Sequence, residues 1–401
     1  MEIKMMKTDN DVLHALRKRG EEIKNEIVEW RRIFHAMPEL RMDTPQTEAQ
    51  IVKILLELGI TDIRQGIGGH GVCAVITGEK SGKCLGIRAD CDGLPIREET
   101  GLPFASVNGN MHACGHDAHT AMALGAAKLL MENRDRLKGS VKLIFQPYEE
   151  GDGGAKIMIA DHVLEDPRVD AIIALHNHCT PDDDYRAGDV LVTREPISAN
   201  IYAYEATFHG TTSHVCLSSS AKNAIYMACD AVSKIALLAK EDTETVNAVT
   251  MIHGGVRNNI IPDICTISGS VRCFDKTKLE QVKQEIARIL HESASAFGGT
   301  VNVVPVIDLM CTEIDSQMYQ SFCETVRDVY PDRACISLKE REMIGEDFAR
   351  FAAVVPARYF KLHTKPQGTA YPLHHPKFDV DESVLHKGSI LFAAFALTWQ
   401  S

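Results

Sequence analysis

Three short apolar runs in this chain end in the same kind of chemistry. Cys84 to Arg88 runs into Asp90 and Asp92, Val141 to Phe145 into Glu149 and Glu150, and Ala171 to Leu175 into His176 and His178. Helical patterns separate the runs. Strands alternating with helices imply an α/β fold, with a mostly parallel central sheet and helices on both faces. Ligands bind such sheets beyond the carboxyl ends of their strands. One acidic strand end is an ordinary solvated loop, but three together bring carboxylates and imidazoles to one edge.

A loop supplies the remaining donors. Met111 to Thr120 holds one thiol, one carboxylate and three imidazoles. Gly115 allows a sharp turn between Cys114 and His116, so both side chains can face one centre. An apolar helix pattern follows at once, through Met122, Leu124, Ala126, Leu129 and Leu130. A thiolate is favoured at such a helix start. Cysteine and histidine are the usual ligands of zinc-like metals, so the pair forms half a metal site. A lone C-x-H spacing is more often a loop that merely carries histidine, and distant residues must complete the site.

At 401 residues the chain exceeds one ordinary core, and two domains are expected. An opening helix is expected from Asp11 to Met37, with Ile23, Ile27, Trp30 and Phe34 on one stripe. Pro45 starts a second, with Ile51, Ile54, Leu55 and Leu58 inward, and Gly59 closes it. From Ile201 the pattern changes to strand (201–208), helix (221–238), strands (246–252 and 264–274), helix (276–297) and strand (301–306). That is the split β-α-β order of a ferredoxin-like α+β domain. Residues 199–308 are therefore expected as an insertion, between 1–198 and 309–401, which form one catalytic domain. Helices near 316–329 and 346–354, a strand at 358–362 and a helix at 385–397 return the chain to that domain.

The net charge of −12 argues against nucleic-acid or acidic-membrane partners. No apolar run reaches transmembrane length and the start carries no apolar signal segment, so a cytoplasmic location is expected. The twelve cysteines form no regular framework. Cys84, Cys229 and Cys265 lie in apolar runs and are expected as small buried hydrophobes in a reducing compartment.

The ordered motifs resemble a known family. They are Arg32 to Leu40 (RIFHAMPEL), Arg88 to Pro95 (RADCDGLP), Met111 to His119 (MHACGHDAH), Gln146 to Glu150 (QPYEE), Leu175-His176, Asn259 to Asp263 (NIIPD), Gly345 to Phe348 (GEDF) and Leu373 to Phe378 (LHHPKF). In this order the chain resembles the zinc aminoacylase/carboxypeptidase metallopeptidases, in their hippurate-hydrolase and auxin-conjugate amidohydrolase branch. The resemblance implies two divalent metal ions, with Cys114 as the bridging ligand and His116, Glu150, His176 and His374 as the others. It implies Glu149 as general base on a metal-bound water, Asp90 as an assisting acid and Asp92 as a supporting one. His214, Asn259 and Arg272 would contact substrate from the inserted domain, a lid through which the family forms homodimers.

His112, His119 and His178 are read as neighbours that orient the ligands. His375 is the alternative to His374. Zinc or manganese is expected, with nickel and cobalt open. The expected activity is cleavage of the amide of an N-acyl or aryl-conjugated amino acid or small peptide. Deacetylation of an N-acetylated amino acid such as acetyl-diaminopimelate differs only in the pocket. Two further readings are a covalent hydrolase using Cys114 and a non-catalytic binding protein.

Overall fold

The computed structural model describes residues 2–151, 153–180, 185–241, 244–332, 335–339 and 341–399. The chain divides into two compact units. The first comprises Met1–Glu195, Glu313–Glu340 and Arg350–Ser401, and the second Pro196–Thr312 and Arg341–Ala349.

The first unit begins with helices α1 (Glu2–Glu22), α2 (Lys24–His35) and α3 (Pro45–Glu57). Strands β1 (Ile63–Ile67), β2 (Gly71–Thr77) and β3 (Lys80–Asp90) follow, then α4 (His116–Glu132), β4 (Lys138–Gln146), α5 (Gly154–Ala160), β5 (Ala171–His178) and β6 (Val190–Val192). The second unit contributes β7 (Asn200–His209), β8 (Ser213–His214), α6 (Ala224–Glu241), β9 (Thr245–Gly254), β10 (Ile260–Ile261), β11 (Ile264–Cys273), α7 (Lys276–Ala296) and β12 (Thr300–Leu309). The chain ends with α8 (Ser316–Val329), β13 (Ile336–Ser337), α9 (Phe348–Ala352), β14 (Ala357–His363) and α10 (Leu385–Thr398).

The single opening helix expected from Asp11 to Met37 is two helices. Ile23 leaves helical geometry at φ −88° and ψ 4°, and its side chain is buried at the break. The helix expected at 346–354 is shorter, spanning Phe348–Ala352.

The large sheet has strand order β1-β2-β4-β3-β5-β14-β6-β13. It is parallel through β4, β3, β5 and β14, and β2 turns antiparallel beside β4. Every residue of β5 and β14 is buried, so both faces of the sheet are covered there. That is why these strands read as continuous apolar runs rather than as alternation. Helix α4 is buried almost all round, packed between β3 and helices α2 and α10. Lys142 is a buried cation in β4, and its ammonium donates to the carbonyls of Val163 and Glu165.

The second unit has a four-stranded sheet in the order β12-β7-β11-β9, antiparallel throughout, and α6 and α7 pack on it. In β11 alternate residues Cys265, Ile267, Val271 and Cys273 are buried, the period of a sheet covered on one face. Cys84 and Cys265 are buried as expected, but Cys229 on α6 is exposed because it falls outside the apolar stripe. No helix among the described residues is long and apolar enough to cross a membrane.

Candidate metal centre

The first unit gathers its donors at the ends of β3, β4 and β5 and at the start of α4. Gly115 takes φ +86° and precedes α4, so Cys114 and His116 turn toward one point. The Cys114 Sγ lies 3.5 Å from His176 Nε2. Cys114, His116 and His176 have ligand atoms within 4.8 Å of one another, as do Cys114, Glu150 and His374. Cys114 belongs to both groups, so a thiolate there could serve two ions at once. A further group joins His116 to Glu149 and Glu150.

The hydrogen bonds set which ring nitrogen is available. His116 Nδ1 donates to the Asp92 carbonyl at 3.0 Å, and His176 Nδ1 donates to the Asn177 carbonyl at 2.6 Å. His176 therefore presents its Nε2 lone pair, the form that ligates, while against burial Asp90 and Cys114 push His116 toward the charged ring, whose Nε2 proton a cation would displace. His116 Nε2 and Glu150 Oε1 are buried and find no hydrogen-bond partner among the described residues. Buried polar atoms are normally satisfied, so these two atoms fit a bound cation. Glu150 Oε1 lies 3.9 Å from His116 Nε2 and 3.3 Å from His374 Nε2.

Asp92 organises the turn that carries the two glutamates. Its carboxylate accepts the backbone N–H of Glu149 at 3.0 Å and of Glu150 at 3.3 Å. Tyr148 has φ +60° just before them, which swings the chain so that both carboxylates approach His116. Glu149 Oε2 stands 3.9 Å from His116 Nε2. Asp90 is fully buried, accepting Arg88 Nη1 at 2.7 Å and His119 Nδ1 at 2.5 Å, with His116 Nε2 3.8 Å away. Both oxygens are engaged by the chain itself.

His374 comes from the C-terminal segment. Its backbone N–H donates to the Ala113 carbonyl at 2.8 Å, which pins it beside Cys114. His375 is turned elsewhere: its Nδ1 accepts the Lys377 N–H at 3.1 Å and its ring stacks on Tyr371. Of the flanking histidines, His119 holds Asp90 and His178 Nδ1 meets His363 Nδ1 at 3.0 Å. His112 is buried with neither ring nitrogen hydrogen-bonded among the described residues.

The electrostatics suit a cation more than a free thiol. Burial and the Glu150 carboxylate push the Cys114 thiol well above its ordinary range, against the pull of His116. A thiol in that state is a poor nucleophile at neutral pH, which weighs against the covalent reading. Burial and the neighbouring His119 keep His176 neutral.

Residues outside the donor set hold the loop. Arg31 and His35 on α2 reach Asp117, each at 2.7 Å, and the three side chains are fully buried. Asn177 packs against Gly115, its side-chain oxygen 2.3 Å from where a Cβ would stand. Arg31, Asp117 and Asn177 were not among the expected site residues. His35 and Asp117 sit within the recurring motifs, which is the signal that could have found them.

His214, Asn259 and Arg272 belong to the second unit. His214 pairs with Ile260 between β8 and β10, and Val215 donates its N–H to the Asn259 carbonyl. Arg272 is half-buried on β11, and its Nη1 donates to the Met343 carbonyl at 2.6 Å.

The sequence profile of peptidase family M20/M25/M40 matches residues 86–398. The chain belongs to this family. It is 32% identical to thermostable carboxypeptidase 1 of Saccharolobus solfataricus over 98% of its length and 100% of that protein. It is 33% identical to the N-acetyl-L-cysteine deacetylase of Bacillus subtilis, over 95% of this chain and 91% of the other. Among solved structures, the Bacillus subtilis YXEP protein, a dinuclear metal-binding peptidase, superposes with a TM-score of 0.78 at 31% identity. The match covers 94% of this chain and 98% of that one.

Proposed function

We propose that this chain is a binuclear metal-dependent amidohydrolase. It cleaves the amide of an N-acyl or aryl-conjugated amino acid, or of a small peptide, releasing a carboxylic acid and an amine. The observation that carries the reading is the pair of imidazoles, His116 and His176. Their Nδ1 atoms are tied to backbone carbonyls, and their Nε2 atoms converge on Cys114 beside the unpartnered Glu150 oxygen.

Cys114, His116, Glu150, His176 and His374 would hold two divalent ions, zinc or manganese. Bound divalent ions lower the pKa of water from 15.7 to about 7 and polarise a carbonyl oxygen. The chain's own part is proton transfer and orientation. Glu149 takes the proton of the attacking water and returns it to the departing amine. Asp92 keeps Glu149 in place through its backbone N–H. Asp90 and His119 fix the floor of the site beneath His116. We further assign substrate contact to His214, Asn259 and Arg272, and lid and dimerisation roles to residues 199–308. These rest on the motif positions, as does the homodimer, while the cytoplasmic location rests on twelve cysteines without a regular framework.

Glu149→Ala should abolish turnover of a panel of acyl-amino acids while elemental analysis finds near wild-type metal. Substantial turnover by the variant would remove Glu149 as the base. The same panel separates the acyl-amino acid reading from the deacetylase reading favoured by the 33% identity to the N-acetyl-L-cysteine deacetylase.

A further inference from the structure

In the second unit, the turn after β8 ties an imidazole to a thiol. His214 ends β8, where it pairs with Ile260 of β10, and the Val215 N–H donates to the Asn259 carbonyl. A single 3-10 turn, Val215–Leu217, follows. His214 stands just before it with extended backbone, φ −70° and ψ 142°, and its side chain caps the turn. The capping atom is Nδ1, which accepts the Cys216 backbone N–H at 3.2 Å. Such caps are usually hydroxyls, amides or carboxylates. An imidazole can replace them only through a nitrogen that carries no proton.

That bond fixes the ring. A backbone N–H can only donate, so Nδ1 keeps its lone pair. The single proton of the neutral imidazole must then sit on Nε2. The Cys216 Sγ lies 3.0 Å from the same Nδ1. Two acceptors cannot share a hydrogen bond, so the thiol is the donor there, S–H to Nδ1. Cys216 therefore meets His214 twice, through its backbone and through its side chain. Both residues are exposed, so the contact does not serve to fill a core. A half-turn of the ring would put Cδ2 in place of Nδ1 and leave both donors facing carbon. The backbone N–H sets the tautomer whatever residue occupies position 216, and the thiol adds a second penalty against that half-turn.

We propose that Cys216 is the positioning residue of His214: its thiol holds Nδ1 as the acceptor and so presents Nε2–H as a fixed donor to the carbonyl oxygen of the substrate. This rests on the substrate contact assigned to His214 above. A donor aimed where negative charge develops works only while its proton and its direction are both set beforehand. Cys216 supplies the direction, acting through the ring rather than on the substrate.

The test uses the zinc-loaded full chain and the acyl-amino acid it turns over fastest. Cys216→Ala should lower kcat about fivefold, the effect of one hydrogen bond, with KM and the urea midpoint near wild type. Cys216→Ser, whose hydroxyl can donate from the same place, should recover most of that loss. At about pH 8, nitrogen-15 spectra of the His214 ring, assigned by difference from His214→Gln, should show Nε2 protonated and Nδ1 bare. Cys216→Ala with the wild-type kcat, Cys216→Ser no faster than Cys216→Ala, or a ring protonated on Nδ1 overturns the proposal. His214→Ala separates it from the reading on which it rests. If His214→Ala loses turnover while Cys216→Ala does not, the role of the thiol falls and the His214 contact stands. If His214→Ala keeps full turnover, the contact falls and the positioning role falls with it.

Discussion

Gly115 tolerates no side chain. At φ +86° any other residue is strained, and a Cβ would stand 2.3 Å from the Asn177 side-chain oxygen. Gly115→Ala should lower stability by about 1–3 kcal/mol and reduce bound metal, read by urea unfolding and elemental analysis. The need for a turn at this glycine was legible in the sequence. Asn177 was not, because the two meet only through the packing of α4 beside β5. His386 shows another kind of residue-level constraint. It is half-buried with Nδ1 unpartnered, and burial, then Lys387, lowers its pKa to about 4. The unfolded chain binds that proton near pH 6.5, the folded one only near 4. The stability tied to the neutral ring is therefore complete above pH 6.5 and is lost as pH falls toward 4. The loss is at most about 1.4 kcal/mol per pH unit and smaller for a half-exposed ring. His386→Gln should flatten the decline in melting temperature between pH 7 and pH 5 relative to wild type.

At the scale of elements, α2 anchors α4 through one buried cation. Arg31 meets Asp117 at 2.7 Å, Asp379 at 3.0 Å and Glu382 at 3.1 Å, so a single guanidinium serves three acids. Removing it strands the fully buried Asp117. Arg31→Met should cost about 3–5 kcal/mol, seen as a lower urea midpoint. The long strands and helices were readable from period and punctuation: α8 begins and ends where its apolar stripe does. β6 and β13 have three and two residues, too few to show any period. They exist because β14 and β6 offer them edges to pair with. The break at Ile23 was hidden for the opposite reason. Ile23 continues the apolar stripe, and only the backbone departs from it.

At the scale of the whole molecule, the first unit is assembled from three separate stretches of chain and the second from two. The motif order revealed which stretches carry ligands; only coordinates reveal that Asp92 braces the glutamate turn while the α2 side chains brace the loop. Metal removal should be felt by this unit, since it leaves the Glu150 oxygen and the His116 nitrogen without a partner. With free metal at one hundred times Kd, binding contributes about 2.7 kcal/mol. Calorimetry should show a lower melting temperature after chelation, restored by adding zinc or manganese. The bond from His374 to the Ala113 carbonyl sets an order of events in the cell. A nascent chain emerging from the ribosome exposes Cys114 and His116 long before the segment bearing His374 has been made. Assembly of the proposed pocket must therefore wait until that later segment has been made and has docked on Ala113.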